Sequence, residues 1–428
     1  MENIVKVLKE TKGVSDYRIV ETKTESCELF YVLDKLETNR ATNIEETVVT
    51  IYVKKVKMKG RADITIYKKM SKEDIKKKVE EAVYAAKLAL NPTFKLPKPS
   101  KKEVVSPKSN LADRPFTDVI GDVVNAVYKA NKYKHGWLNS VEFFLNKKIY
   151  RLVNSNGIDE SYTAFSGEIE VIPTWKKGNE EFELYEMIKF SNLDLNDITR
   201  QVKNVLLQAK ARAEAKVPNI KEGTKIIISG DSNIPQIIDY FVDDLSYSAL
   251  YNKVNRCKVG DSVQGEVVTG DKLNIDLVPI VHNSPSSRPF DMDGVVLSKI
   301  SIIKDGIAKA NYGSNQMASY LGIKKPTGMI PNVVVKHGSK SIKEMKKEPY
   351  LECIKFSAFQ TDPYSGFFGG EVRLGYYFDG EKSYPVTGFA ISGNLHELKG
   401  TLVFSKEIET LPGYKVPKAV EIKGMKIA

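Results

Sequence analysis

The sequence predicts an α+β protein, with an N-terminal α/β region of helices on a mixed or antiparallel sheet and a β-rich C-terminal domain. Three observations predict it. Runs rich in β-branched and aromatic residues, such as Thr47–Val53 and Ala62–Tyr67, recur along the chain. Long helical periodicities are concentrated before residue 217, and only one clear helix is visible after it. At 428 residues the chain also exceeds what one hydrophobic core usually serves, so two or three domains are expected.

Residues 2–10 read as a short helix and Asp16–Tyr67 as several strands, with Lys59-Gly60-Arg61 as a hairpin turn. Ser71 is a good N-cap with Asp74 at the third helical position, and Ile75, Val79, Val83 and Ala86 follow along one face. Pro92 ends this helix, and 1–90 forms the expected N-terminal α/β domain. Pro92, Pro97, Pro99 and Pro107 among Lys and Ser give 91–112 the composition of a linker. A middle α+β domain is expected over 113–217. It has a helix at Thr117–Lys132, strands at Ser140–Phe144, Lys148–Val153 and Ser166–Trp175, and a closing helix from Leu195 to about Lys216. Between its strands, Asn154-Ser155-Asn156-Gly157 supplies the residues that a tight turn needs. The β-rich domain is expected over 222–428. It opens with a strand at Lys225–Ser229 and a helix announced by Asp231-Ser232-Asn233-Ile234-Pro235.

Net charge is +11, yet only 10 of the 65 basic residues are arginine. Readers of nucleic acid lean on arginine, whose planar fork pairs bidentately with guanine and phosphate. The lysines here are interleaved with acids, as in Lys68–Glu81, which describes a solvated helix face rather than a nucleic-acid footprint. No apolar run approaches the roughly 18 residues that cross a bilayer, so no membrane partner is expected. The start, Met1-Glu2-Asn3-Ile4-Val5-Lys6, lacks the pattern of a signal peptide. Cys27, Cys257 and Cys353 are far apart and in no paired motif, which fits reduced thiols in a cytoplasmic protein.

Catalytic motifs are sparse. The four histidines, His135, His282, His337 and His396, are far apart in sequence. His396-Glu397 is followed by Gly400 and Thr401 where a second zinc ligand would stand, so it does not complete a metal helix. Gly260-Asp261-Ser262-Val263-Gln264-Gly265 misses a nucleophile elbow by one residue and reads as a turn. No phosphate-binding glycine loop is present. Asp239 and Asp243 share a helix face with Asp244 rotated away, and these three are the alternative metal ligands. One helix does not supply the converging oxygens that calcium or magnesium needs, so a solvated polar face is the simpler account.

The most informative stretch is Ser287-Arg288-Pro289-Phe290-Asp291-Met292-Asp293-Gly294-Val295. Asp-x-Asp-Gly is turn chemistry, and Arg288 has the character of an ion-pair partner. The competing account is a loop that lines a cavity and orients a peptide backbone. Downstream come Pro326-Thr327-Gly328, Pro331-Asn332, His337-Gly338-Ser339, Asp362–Phe367 and Ile391-Ser392-Gly393-Asn394. Gly366, Gly369 and Gly370 bracket Phe367 and Phe368, which signals close backbone approach, a flap or tight strand connections.

In order and spacing this series resembles the TldD/PmbA family, the modulator of DNA gyrase proteins. The resemblance implies paired subunits of a metallopeptidase, of which TldD-type members carry a His-Glu-x-x-x-His helix and PmbA (TldE)-type members do not. At the corresponding place this chain has Asp239 and Asp244 for the histidines and Tyr240 for the glutamate, and its tail from Leu411 to Ala428 has no cysteine. The motif Phe290-Asp291-Met292-Asp293-Gly294 also departs from the family's usual Phe-Asp-Asp-Glu-Gly.

What the resemblance implies is a non-zinc, cytoplasmic subunit that has no catalytic or metal residue of its own and completes a substrate cavity for unfolded or small peptides. A TldD-type partner would supply zinc and the proteolytic chemistry, in peptide maturation or clearance; pairing with itself as a homodimer is the other arrangement. The cavity candidates are Arg288, Phe290, Asp291, Asp293, Gly294, Asn332, Gly366, Phe367 and Asn394. The alternative function is a non-catalytic binding or regulatory homodimer that associates with nucleic acid.

Overall fold

The computed structural model describes residues 1–221, 223–230 and 233–428. Its architecture is α+β, in agreement with the sequence. Strands β1 (Asp16–Val32), β2 (Lys35–Lys55), β3 (Met58–Ile66) and β4 (Leu90–Pro92) are followed by β5 (Gly136–Asn154), β6 (Asp159–Lys177), β7 (Glu180–Glu183) and β8 (Glu186–Phe190). They form one sheet in the order β4-β3-β2-β1-β5-β6-β7, with β8 also on β6. β1 joins the halves, pairing with β2 on one side and antiparallel with β5 on the other, from Arg18↔Asn154 to Val32↔Ser140. The expected division between a 1–90 domain and a 113–217 domain therefore does not hold as a break in the sheet. Strands that look short in sequence are long here because polar residues alternate with apolar ones on a half-covered surface.

Helices cover one face. α1 (Glu2–Glu10) and α2 (Lys72–Ala86) pack on Tyr17, Ile19, Val49 and Ile51. α3 (Phe116–Lys129) and α4 (Leu195–Glu214) pack further along, on Val141, Phe143 and Leu145 with Cys27, Leu29 and Tyr31 beside them. The odd-numbered β1 residues thus face the helices, as the two-residue strand period requires. The even-numbered row is left for the C-terminal domain.

At α2 the Ser71 hydroxyl accepts from the Asp74 amide at 3.1 Å, and the Asp74 carboxylate accepts from the Ser71 amide at 3.2 Å. This is the capping box that the sequence predicts. Ser71→Ala is expected to cost about 1 kcal/mol, read as a lower denaturation midpoint with unchanged slope.

Two local expectations need correction. Lys59-Gly60-Arg61 is not a turn. The chain reverses at Val56-Lys57 between β2 and β3, with Val56 at φ 53°. Gly60 lies within β3, where a Cβ would stand 1.6 Å from the Ala86 carbonyl oxygen at the end of α2. Close approach, not positive φ, is what the glycine serves there. Nor is 91–112 a free tether. Phe94 and Leu96 are buried, and Phe94 packs edge-on between Tyr52 and Tyr320. Asn154 and Asn156 donate to the carbonyls of Pro97 and Leu96, so this segment is held against both parts of the molecule.

The C-terminal part begins with β9 (Lys225–Ser229) and α5 (Asn233–Val242); Asp231 and Ser232, expected to announce that helix, lie outside the described residues, as does Glu222. Next come α6 (Tyr247–Asn252), β10 (Ile275–Val278), β11 (Ile300–Lys304), β12 (Ile307–Ala308), α7 (Asn315–Tyr320), β13 (Asn332–Val335) and α8 (Ile342–Met345). β14 (Tyr350–Thr361), β15 (Phe367–Phe378), β16 (Ser383–Val386), β17 (Phe389–Asn394) and α9 (Leu395–Leu398) follow. The chain then runs through β18 (Val403–Phe404), β19 (Ile408–Leu411), β20 (Tyr414–Pro417), β21 (Ala419–Ile422) and β22 (Lys426–Ile427). Two further sheets result, β12-β11-β10-β13-β20-β19 and β18-β21-β9-β14-β15-β17-β22, with β16 on β15. One core lies between them, around α5. The sequence reading found α5 but not α6 to α9, each six residues or fewer and too short to show a helical period.

Candidate functional site

The Ser287–Val295 stretch forms a loop wedged between the large sheet and the C-terminal core. Phe290 is 1% exposed and packs on Tyr150 and Tyr162, with ring centroids 5.9 and 5.1 Å away. Asp291 is equally buried and accepts three amide hydrogen bonds: from Asp293 at 2.9 Å, Val295 at 3.0 Å and Met329 at 3.0 Å. Asp293 pairs at 2.8 Å with Arg18, which also donates to the Met292 carbonyl. Burial raises the Asp293 pKa, and repulsion from Asp291 adds to it; Arg18 pulls the other way. Gly294 sits at φ 89°, and a Cβ there would meet Ile158 and Leu152 at 3.0 Å.

Four of the cavity candidates therefore join domains rather than face open space. Arg288 differs. Its Nη2 donates to the Met329 carbonyl at 3.2 Å, its Nε is buried without a hydrogen-bond partner, and among the described residues it has no carboxylate partner. The ion pair expected for it is not formed.

Of the remaining candidates, Asn332, Asn394 and Gly366 are also built into the fold. Asn332 is fully buried, donates to the carbonyls of Val278 and Pro279, and accepts from the Ser284 hydroxyl at 2.6 Å. Asn394 caps α9 by accepting from the His396 amide, and donates to the Ser365 carbonyl. Gly366 is at φ 76°, where a Cβ would stand 2.5 Å from Asn394 and 2.6 Å from the His396 ring. Gly369 and Gly370 lie inside β15, where a Cβ would clash with backbone oxygens of Ile391 and Ala358. Those two glycines serve close strand packing and not a flap. Phe367 is exposed.

Of the three carboxylates, Asp239 in α5 and Asp244 just beyond its end are not solvated, while Asp243 is exposed. Asp244 is 6% exposed and accepts from the amides of Arg256 at 2.6 Å and Cys257 at 2.9 Å, fixing the loop after α6. Asp239 is half-buried and accepts both of its hydrogen bonds from the Tyr414 hydroxyl, at 2.8 and 2.9 Å. Burial pushes its pKa up to about 6, the Tyr414 hydrogen bond opposes this, and Asp243 reinforces it. Desolvation raises Asp243 as well, against the attraction of Arg256. Arg256 lies over the Tyr240 ring at 3.9 Å. Among the described residues no three His, Cys, Asp or Glu side chains are grouped so as to hold a metal ion.

The matching family model is the PmbA/TldA metallopeptidase C-terminal domain, over residues 228–428. Residues 228–428 therefore carry the C-terminal domain of that family. Two curated relatives are similar over part of their length. One is a metalloprotease of Archaeoglobus fulgidus, 28% identical over 139 residues that make up 29% of this chain and 33% of the relative. The other is the metalloprotease PmbA of Escherichia coli O157:H7, 29% identical over 152 residues, or 34% of each chain. The chain thus matches about a third of the length of these relatives. The crystal structure of TldE from Thermococcus kodakarensis has the same fold, with a TM-score of 0.80, 19% identity, and 100% and 99% of the two chains covered.

In this chain the open space lies beside the motif residues. A cleft of about 940 Å³ separates the start of α4 from β19 and holds none of them. Carboxamides line it, and the Asn192 Nδ2 and Gln208 Oε1 are buried there without partners. A second cleft, of about 450 Å³, lies between β5, β6 and the 285–288 loop and includes Arg288. Neither was visible in sequence, because each is assembled from segments more than 100 residues apart. The runs of Asn and Gln around 192–208 are the one trace of the first.

Proposed function

We propose that this chain is a cytoplasmic, non-zinc subunit of a TldD/TldE-type metallopeptidase, shaping the cavity in which unfolded or small peptides meet a TldD-type partner's zinc. The match of residues 228–428 to a metallopeptidase domain supports the class of activity. The observation that carries the subunit role is α5. Where a metal helix would present two histidines and a glutamate, this chain presents Asp239, Tyr240 and Asp244. Asp239 is committed to Tyr414, and Asp244 to the Arg256–Cys257 loop. A carboxylate whose lone pairs accept backbone amides is not available as a metal ligand without dismantling that loop.

On this reading zinc and the attacking water belong to the partner, and this chain holds and orients peptide. No helix among the described residues is long and apolar enough to cross a membrane. The test is affinity purification of the tagged chain from its native cells, with mass spectrometry and metal analysis of the eluate. A TldD-like protein at one-to-one stoichiometry, carrying zinc, is the expected result. Stoichiometric zinc on the isolated chain, with peptidase activity abolished by a chelator, would overturn the proposal.

A further inference from the structure

We infer that the cleft between β5, β6 and the 285–288 loop is an oxyanion site, and that the anion it takes is the terminal carboxylate of a peptide. The inference deepens the subunit reading, on which its choice of a peptide rests.

Charge is the first argument. The lining contains Arg288 and Lys148 and no aspartate or glutamate. Neither cation has a carboxylate within ion-pair distance among the described residues. Lys148 stands on an exposed position of β5, opposite Ala164 of β6 and Thr24 of β1. Arg288 is partly buried, and its Nε is shielded from solvent without an acceptor. A shielded guanidinium N–H with no acceptor destabilises the site, the more so because it is charged. A ligand oxygen would relieve that cost. The guanidinium fork matches a carboxylate bidentately, and such charge-assisted pairs are the strong ones.

The walls favour a peptide end over a free inorganic anion. Hydroxyls of Tyr162, Ser166 and Ser286 offer further donors, while Pro285, Pro331 and the Phe165 ring give apolar surface for the last side chain. A bare phosphate would have no use for that surface. At about 450 Å³ the cleft falls within the range of small-ligand sites. It also continues: Ser166, Pro285 and Ser286 are shared with a neighbouring cleft of about 410 Å³, lined further on by Asn146, the Lys189–Glu168 ion pair and Pro412. A chain anchored by its end at Arg288 has a path along the even-numbered face of the sheet.

The test is calorimetric titration of the full chain with a short unstructured peptide ending in leucine, as free acid and as C-terminal amide, in low salt. Inorganic phosphate is titrated separately. The free acid should bind at least 10-fold more tightly than the amide. Arg288→Gln should remove that preference, Arg288→Lys should restore only part of it, and Lys148→Gln should reduce it about 3-fold. Among the described residues the Lys148 side chain makes no hydrogen bond or ion pair, so its variant reports even where changes at Arg288 perturb the loop. Equal binding of acid and amide would overturn the inference, as would a preference untouched by Arg288→Gln and Lys148→Gln. Phosphate binding without acid-over-amide discrimination would overturn the carboxylate assignment. The copurification result is independent: discrimination in a chain that recruits no TldD-like partner would sink the subunit reading and leave the site standing.

Discussion

Replacing Asp291 with alanine is expected to destabilise the protein by about 3–4 kcal/mol, near the upper end for a single substitution. The carboxylate accepts the amides of Asp293, Val295 and Met329, and its side chain is 2% exposed. Alanine would leave three N–H groups facing one another without the carboxylate that accepts them. Gly328 closes the site, since a Cβ there would already stand 3.0 Å from the Asp291 oxygen. Asp291→Asn should cost less, about 1–2 kcal/mol, because one oxygen still accepts while the new NH₂ opposes an amide donor. Urea denaturation of the full chain measures both. A loss below about 1 kcal/mol for alanine would show that the motif is not a structural clasp. Unchanged stability with lost peptide binding would return Asp291 to the role of substrate contact.

How far the sequence revealed this arrangement depends on the range of the interaction. Local signals were legible: the Ser71 capping box, the turn at 154–157, and α4 with its stripe of Ile198, Val202, Val205, Leu206 and Ala209. Each is decided by residues within a few positions. Strand partnership is not. The alternation in β1 says that Ile19 and Val20 face opposite ways, but nothing in it names β5, more than 100 residues later, as the neighbour. Composition misled at 91–112, because two buried apolar anchors, Phe94 and Leu96, outweigh the Pro and Lys around them. At Gly60 the residue type was informative and its use was misassigned, since glycine serves close approach as well as reversal.

The site divides in the same way. Asp-x-Asp-Gly was readable as turn chemistry, and it is that. Arg288 was readable as a functional candidate, yet its lack of a carboxylate partner and the presence of Lys148 beside it are three-dimensional facts. Helical spacing places α5, but it does not show what the tail of the chain brings over Asp239. Tyr414, some 175 positions away, covers Asp239.

That contact sets up the second large effect, which depends on pH. Asp239 has its pKa pushed up from 3.8 to about 6 in the folded protein, chiefly by burial. The folded state therefore holds its proton more tightly than the unfolded chain does. Between pH 3.8 and 6 the folded state binds more protons, so the Asp239 contribution to stability falls as pH rises through that window. Above it the ionised, half-buried carboxylate is a standing cost of about 2 kcal/mol, taking the shift at somewhat less than its full value for residual solvation. Asp239→Asn should remove the cost while keeping an oxygen for the Tyr414 hydroxyl. The variant is expected to match the parent near pH 4 and to exceed it by about 2 kcal/mol at pH 7.5, the gap opening between those limits. Denaturation midpoints across the pH range measure it. A variant less stable than the parent at pH 7.5 would mean that the ionised carboxylate is needed, with Tyr414 donating to a charge that the surroundings stabilise. The sign of one difference thus decides whether Asp239 is a liability on α5 or a working anion.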